Sequence, residues 1–135
     1  MKDKAFFDTN ILIYLYSSDD TDKRDIVIKY LKNTNAVIST QVINELCNVL
    51  LKKVGLSTHD VELILGNIAT FITIIDVNMN HISQGLSLKE SYGYSYYDSL
   101  ILSTAMLEKC KYVFTEDMHD GQIINDKVTI KNIFQ

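Results

Sequence analysis

Short apolar runs alternate with longer periodic ones along the whole chain. The runs Lys4–Asp8, Ala36–Ser39, Thr73–Val77 and Tyr112–Thr115 are brief and rich in β-branched and aromatic residues, so they predict strands. Val128–Lys131 carries a weaker form of the same pattern. Helical patterns lie between them. "NILIYLY" opens one, and "DKRDIVIKYLKN" is amphipathic, with Ile26, Tyr30 and Leu31 on one side. "QVINELCNVLLKKV" and "THDVELILGNIATFI" are strong helices, while "MNHISQGLSLKES" is weaker and is interrupted by Gly85. "YYDSLILSTAMLEK" is nearly all apolar, which predicts burial on more than one side.

Strands alternating with helices predict an α/β domain with a mostly parallel central sheet. In such sheets functional groups gather where strand C-terminal ends meet the following helices. With 135 residues the chain suits a single domain, residues 1–135, and it contains no proline-rich linker, repeat or low-complexity segment. Apolar residues make up 47%, enough for a compact core.

Charge narrows the picture. The net charge of −4 argues against a broad basic surface for nucleic acid, yet bound divalent cations can offset a local cluster of acids. Cys47 and Cys110 are far apart, each in an apolar helical pattern, which fits reduced buried thiols. The apolar run after Lys2 and Lys4 loosely imitates a signal peptide, but Asp8 and Asn10 break it and no small-residue cleavage site follows. No stretch reaches the roughly 18 apolar residues of a membrane span, so a soluble cytoplasmic protein is expected.

Most of the seventeen acids fall in polar loops or on solvated helix faces, among them Asp19, Asp20, Asp22, Asp25, Asp60, Glu62 and Glu108. Four stand elsewhere. Asp8 ends the apolar "AFFD" and is positioned to cap the next helix. Glu45 lies at the edge of an apolar stripe formed by Val42, Leu46, Val49 and their neighbours. Its offset of five from Thr40 excludes a capping box. Asp98 opens the buried helix, where the helix dipole favours a carboxylate. Asp117 follows an apolar run and sits in a polar turn closed by Asp120-Gly121. Each acid alone has an ordinary structural explanation. Together they converge on one rim of a parallel α/β domain, where carboxylates resist ionisation unless cations are bound. Oxygen ligands of this kind suit Mg²⁺ or Mn²⁺, which can activate water against a phosphodiester.

The blocks "FFDTNILIYLY", "ISTQVINELCNVL", "YYDSLILSTAM" and "VFTEDMHDGQIIN" resemble, in order and approximate spacing, those of a PIN domain. The size is most similar to VapC-like toxins of toxin–antitoxin pairs. The resemblance implies a three-layer α/β/α fold and a metal-dependent ribonuclease. It carries Asp8, Glu45, Asp98 and Asp117 over as catalytic and metal-binding acids, with Asp8, Asp98 and Asp117 holding one or two cations and Glu45 binding directly or through water. Thr115 matches the hydroxyl beside the last acid, and Thr9, Asn10, Thr40 and Asn44 match polar companions that hold the carboxylates in place. It also implies an RNA substrate, a small antitoxin partner and a homodimer, with Ile68, Phe71 and Leu86 as interface or core residues. Two blocks depart from toxin-like relatives. Asp120-Gly121-Gln122 stands for "HGQ", and Asn132-Ile133-Phe134 for "NPF", so Asp120 is either a further ligand or a turn residue.

Tyr92, Tyr94, Tyr96 and Tyr97 precede Asp98. Such rings can stack on unpaired bases, but packing against neighbouring helices is the expectation for most of them and for Tyr97. His59, His81 and His119 have no zinc spacing with either cysteine, and His119 is expected in an exposed turn. "GYSYY" lacks the second glycine of a nucleophile elbow. Competing readings are a receiver-like signalling domain, a PIN-like binding module without catalysis, and a DNA-directed nuclease on the same acids. The first is disfavoured because Phe7 and Thr9, not an acid, flank Asp8.

Overall fold

The computed structural model describes residues 1–135. Strand β1 (Lys4–Phe7) leads into α1 (Thr9–Leu12), which tightens into a 3-10 turn at Ile13–Leu15. There follow α2 (Thr21–Asn33), β2 (Asn35–Ser39), α3 (Thr40–Val49) and a wider π-helical turn at Leu50–Val54. The chain continues through α4 (Thr58–Phe71), β3 (Thr73–Ile75), α5 (Met79–Tyr92) and α6 (Tyr96–Leu107). It ends with β4 (Tyr112–Phe114), β5 (Ile123–Ile124) and β6 (Val128–Lys131).

The expected strands all form, each within a residue or two of its apolar run. Strand β5 is the addition: it is two residues long, too short to show alternation, and it pairs antiparallel with β6. The sheet order is β3-β2-β1-β4-β6-β5, and every other pairing is parallel. Successive strand residues point to opposite faces. Ala5, Phe6 and Phe7 of β1 and Ala36, Val37 and Ile38 of β2 are all buried, so helices cover both faces of the sheet. This is the three-layer α/β/α arrangement.

Without proline, the helices are started by capping side chains. Asp8, Asp20, Ser39, Ser57, Asn78 and Ser95 each accept from a backbone N–H of the following turn. The stop after the π-helical turn is Gly55, whose φ of +78° favours glycine.

Helix α6 is buried continuously from Ser99 to Met106 and packs against β2, β4 and β6. Its buried hydroxyls are satisfied: Ser103 Oγ donates to the His81 carbonyl at 2.8 Å, and Thr104 Oγ1 to the Leu100 carbonyl at 2.8 Å. Gly85 does not interrupt α5, which runs unbroken past it. It marks the point where α5 meets α6. A Cβ there would lie 3.3 Å from Ser103 Oγ and 3.4 Å from Leu100 Cα. Glu108 is likewise no solvated decoration, because it pairs at 3.1 Å with Nε2 of the buried His81. His81 Nδ1 accepts from the Asn78 backbone N–H, which leaves Nε2 as the ring donor toward Glu108.

Cys47 and Cys110 are both free thiols, and burial pushes the Cys110 thiol up to about 12. No helix is long and apolar enough to cross a membrane.

The two helical glycines separate packing from propensity. Gly85→Val should destabilise the fold by about 1–3 kcal/mol, because the added methyls have no room at the α5–α6 contact. Gly66→Ala, with open space around its Cβ position, should stabilise by up to about 1 kcal/mol. Urea denaturation of both variants checks the pair, and equal effects would contradict the assigned packing.

Candidate metal centre

The strand order reverses at β1: the chain builds β2 and β3 on one side, then crosses to β4 on the other. The crevice at the C-terminal ends of β1 and β4 is therefore the switch point of the sheet, where open α/β folds bind ligands. Asp8 follows β1, and the Thr115–Asp117 segment follows β4. Register brings the two together, with Phe7 opposite Phe114 and the Asp8 N–H donating to the Phe114 carbonyl at 3.0 Å.

Asp8 is 6% exposed and serves as cap and site residue at once. One oxygen accepts from the Thr9 N–H at 2.7 Å, capping α1. The other accepts from Thr115 Oγ1 at 2.9 Å and from Asn10 Nδ2 at 3.4 Å. Burial, partly offset by these hydrogen bonds, raises the Asp8 carboxyl from 3.8 to about 6, and the charges of Glu45 and Asp98 add to the rise.

Asn10 joins the two strand ends. Its amide nitrogen is shared among Asp117 Oδ2 at 2.9 Å, Thr115 Oγ1 at 3.2 Å and Asp8. Its oxygen accepts from the Glu116 N–H at 3.2 Å. Thr115 is fully buried and also accepts from the Asp117 N–H at 3.2 Å. Glu45 reaches in from the second turn of α3, where its Oε1 accepts from Thr9 Oγ1 at 3.2 Å. Asp98 stands in the first turn of α6, whose Ser95 cap holds the Asp98 N–H.

All four sequence-derived acids line one cavity of about 560 Å³. They also feel one another. Burial raises Glu45, and the Asp98 charge raises it further. Burial raises Asp98, with the Asp117 charge adding to it. The only basic side chain lining the cavity is Lys53, brought there by the π-helical turn after α3. No three His, Cys, Asp or Glu side chains stand close enough to grip one bare ion. An open ring of carboxylates suits a cation that keeps part of its water shell, as Mg²⁺ does with one or two carboxylates. The donor set is oxygen throughout, and none of the four acids is in a salt bridge. The residues present therefore fit a hydrated divalent cation.

Several residues depart from the sequence-based picture. Asp19, read as a loop acid, lines the cavity. Glu116 lines it too and is held by Tyr14 Oη at 2.6 Å and Lys23 Nζ at 2.9 Å. Lys23 in turn lies over the rings of Tyr14 and Phe134. Nothing local in the sequence marks this triad, since its members are 9 and 93 residues apart. Asp120 is a turn residue: its Oδ1 accepts from the Asn132 N–H at 2.8 Å, and it does not line the acid cavity. His119 is exposed, as expected. Tyr92 and Tyr94 fasten to the tail through Asn125 and Gln122. Tyr97 was expected to pack, but it is 64% exposed.

The raised Asp8 carboxyl fixes a pH dependence for the metal-free protein. Its stability contribution is fully present below about pH 4 and is lost as pH rises through about 6, a change of about 3 kcal/mol. Asp8→Asn should therefore be more stable than wild type at pH 8 in chelator and lose that advantage near pH 4. Urea melts across this range check it, and a wild type that gains on Asp8→Asn with rising pH would contradict the assignment.

The PIN domain family model matches residues 5–119. No curated protein matches the chain. Among solved structures, a toxin–antitoxin complex from Klebsiella pneumoniae is similar at TM-score 0.72 and 23% identity, covering 96% of this chain and 97% of that one. Mycobacterium tuberculosis VapC20, a sarcin-ricin loop cleaving toxin, is similar at TM-score 0.68 and 16% identity, covering 84% and 89%. VapBC2 from Rickettsia felis, bound to a DNA fragment from its promoter, is similar at 0.67 and 20% identity, covering 96% and 99%. With a family model spanning most of its length and this fold, the chain belongs to the PIN-domain family.

Proposed function

We propose that this chain, acting as a single domain, is a divalent-metal-dependent endoribonuclease and the cytoplasmic toxin of a toxin–antitoxin pair. The observation that carries the reading is the set of four carboxylates, Asp8, Glu45, Asp98 and Asp117, brought from four segments to one cavity at the sheet's switch point. The similar folds of a sarcin-ricin loop cleaving toxin and of two toxin–antitoxin complexes support it.

Asp8, Asp98 and Asp117 would hold one or two hydrated Mg²⁺ or Mn²⁺ ions, partly through retained water, with Glu45 binding directly or through water. When bound, the cation supplies a water activated at neutral pH and charge stabilisation for the phosphodiester under attack. Thr115 and Asn10 keep Asp8 and Asp117 aimed into the cavity, and Thr9 does the same for Glu45. Lys53 stands on the same wall, where its ammonium can take a backbone phosphate. No histidine lines the cavity, and none is needed as a base.

The partner reading is a small antitoxin, together with a homodimer. Of the three residues offered for those surfaces, Ile68 is core, whereas Phe71 and Leu86 are exposed and available.

Purified protein incubated with labelled RNA should cut it with Mg²⁺ or Mn²⁺ and fail in chelator. Asp98→Asn should lose activity on the order of a hundredfold or more. Asn10→Ala, which leaves all four acids in place, should lose about 10–100-fold. Metal-dependent cleavage surviving intact in Asp98→Asn would sink the site assignment. Cleavage of DNA in preference to RNA would replace the substrate, and no cleavage of either would leave a binding module.

A further inference from the structure

Beside the acid cavity lies a second cleft of about 490 Å³, walled by Gln41, Asn44, Glu45 and Asn48 of α3 and by Tyr97 and Leu100 of α6. Its size falls within the about 300–1,000 Å³ typical of small-ligand pockets. The four α3 residues stand at i, i+3, i+4 and i+7, so they form one polar stripe along the helix. Glu45 lines both spaces, and the stripe runs from the carboxylate site into this cleft.

We propose that this cleft is a nucleobase subsite, taking one unpaired base beside the RNA bond that is cut. The proposal rests on the ribonuclease reading above and adds to it the residues that would read the substrate.

Three observations carry it. The first is Tyr97, a large ring left 64% exposed at the cleft wall and steadied edge-on by Tyr96 at 5.2 Å between centroids. An exposed ring beside a nuclease centre is a stacking platform for an unpaired base.

The second is Gln41. Its Nε2 donates to the Tyr97 carbonyl at 3.1 Å, which fixes the amide and leaves Oε1 as the free group. That Oε1 is shut off from water and is the only buried side-chain nitrogen or oxygen in the chain without a hydrogen-bond partner. An orphaned buried acceptor is costly. Turning the amide away from the Tyr97 carbonyl would offer Oε1 to an N–H donor seated in the cleft, which Gln41 itself lines. Each nucleobase offers one, on a ring nitrogen or an exocyclic amine.

The third is charge. No lysine, arginine or histidine lines the cleft, and the stripe beyond Glu45 consists of neutral amides. Amides pair with the donor and acceptor edges of bases, whereas a phosphate would call for a cation. The cation on this side of the molecule, Lys53, faces the acid cavity instead. Base and phosphate thus have separate seats on either side of Glu45.

The chain contains no tryptophan, so Tyr97→Trp places a single indole at the cleft wall. The variant is titrated with the trinucleotides UpUpU, ApApA and CpCpC and with ribose 5-phosphate, in chelator so that no strand is cut. Saturable quenching by at least one trinucleotide is expected, with none by ribose 5-phosphate. Gln41→Ala in the same background should weaken that binding about three- to tenfold. Quenching by no trinucleotide, or equal quenching by ribose 5-phosphate, overturns the subsite.

Cut-site mapping on a mixed-sequence RNA gives an independent readout. Tyr97→Phe, which keeps the ring, should preserve the wild-type pattern, whereas Tyr97→Ala should flatten it and raise KM about tenfold. An unchanged pattern in Tyr97→Ala would overturn the subsite while leaving the ribonuclease reading intact. Trinucleotide quenching in a chain that cuts no RNA would overturn the ribonuclease reading and leave the base site standing.

Discussion

The carboxylate of Asp8, buried at the end of the central strand, is the constraint on which the rest of the site depends. A charge there is costly, and the chain offsets the cost only in part. The Thr9 N–H, the Thr115 hydroxyl and the Asn10 amide all donate to it, yet its carboxyl still sits near 6. Two of those donors come from the helix that Asp8 caps, and the third comes from a residue more than a hundred positions away. That third donor exists only because β4 lies beside β1. The switch in strand order, the pairing of Phe7 with Phe114 and the Asn10 clamp are one device for holding a desolvated acid where two segments meet. Glu45 and Asp98 then approach it from α3 and α6, and their charges make its ionisation harder. A divalent cation would relieve Asp8, Glu45 and Asp98, the acids that burial raises, which is why the physics of the fold and the proposed chemistry point to the same ion.

Much of the framework was legible in the chain. β-branched and aromatic runs marked the five longer strands; four of them are buried on at least one face, while β3, at the sheet edge, is only half-buried. Helix α6 announced its burial by having almost no polar face. The acids were legible as a set rather than singly, since Asp8 does cap its helix and the Ser95 cap holds Asp98 in a first turn. The structural role and the site role use different lone pairs of the same carboxylate.

The remainder depended on tertiary contacts. Gly85 looked like a helix breaker because propensity counts the backbone alone, whereas its place is set by how closely α6 approaches. Glu108 looked solvated because its partner, the buried His81, is 27 residues away. The Tyr14–Lys23–Glu116 triad has the same cause. Tyr97 is the instructive case. In an apolar, aromatic stretch at the start of a buried helix it reads as core, and its neighbours Ser99 to Met106 are core. It lies on the turn that faces outward, beside Gln41, whose Oε1 is the one buried side-chain nitrogen or oxygen without a hydrogen-bond partner. The place where the local pattern failed is the place that stands next to the acids.

The claim that these four acids form one divalent-cation site is tested most directly by calorimetric titration of the protein with Mn²⁺ at pH 6, in two buffers of different ionisation enthalpy. The account predicts saturable binding whose apparent heat differs between the buffers, because Asp8 is partly protonated at that pH and must release its proton to the solvent. Asp98→Asn should weaken the binding, and Asp8→Asn should weaken it and reduce the buffer dependence. No saturable binding, or binding unchanged in both variants, would contradict the account.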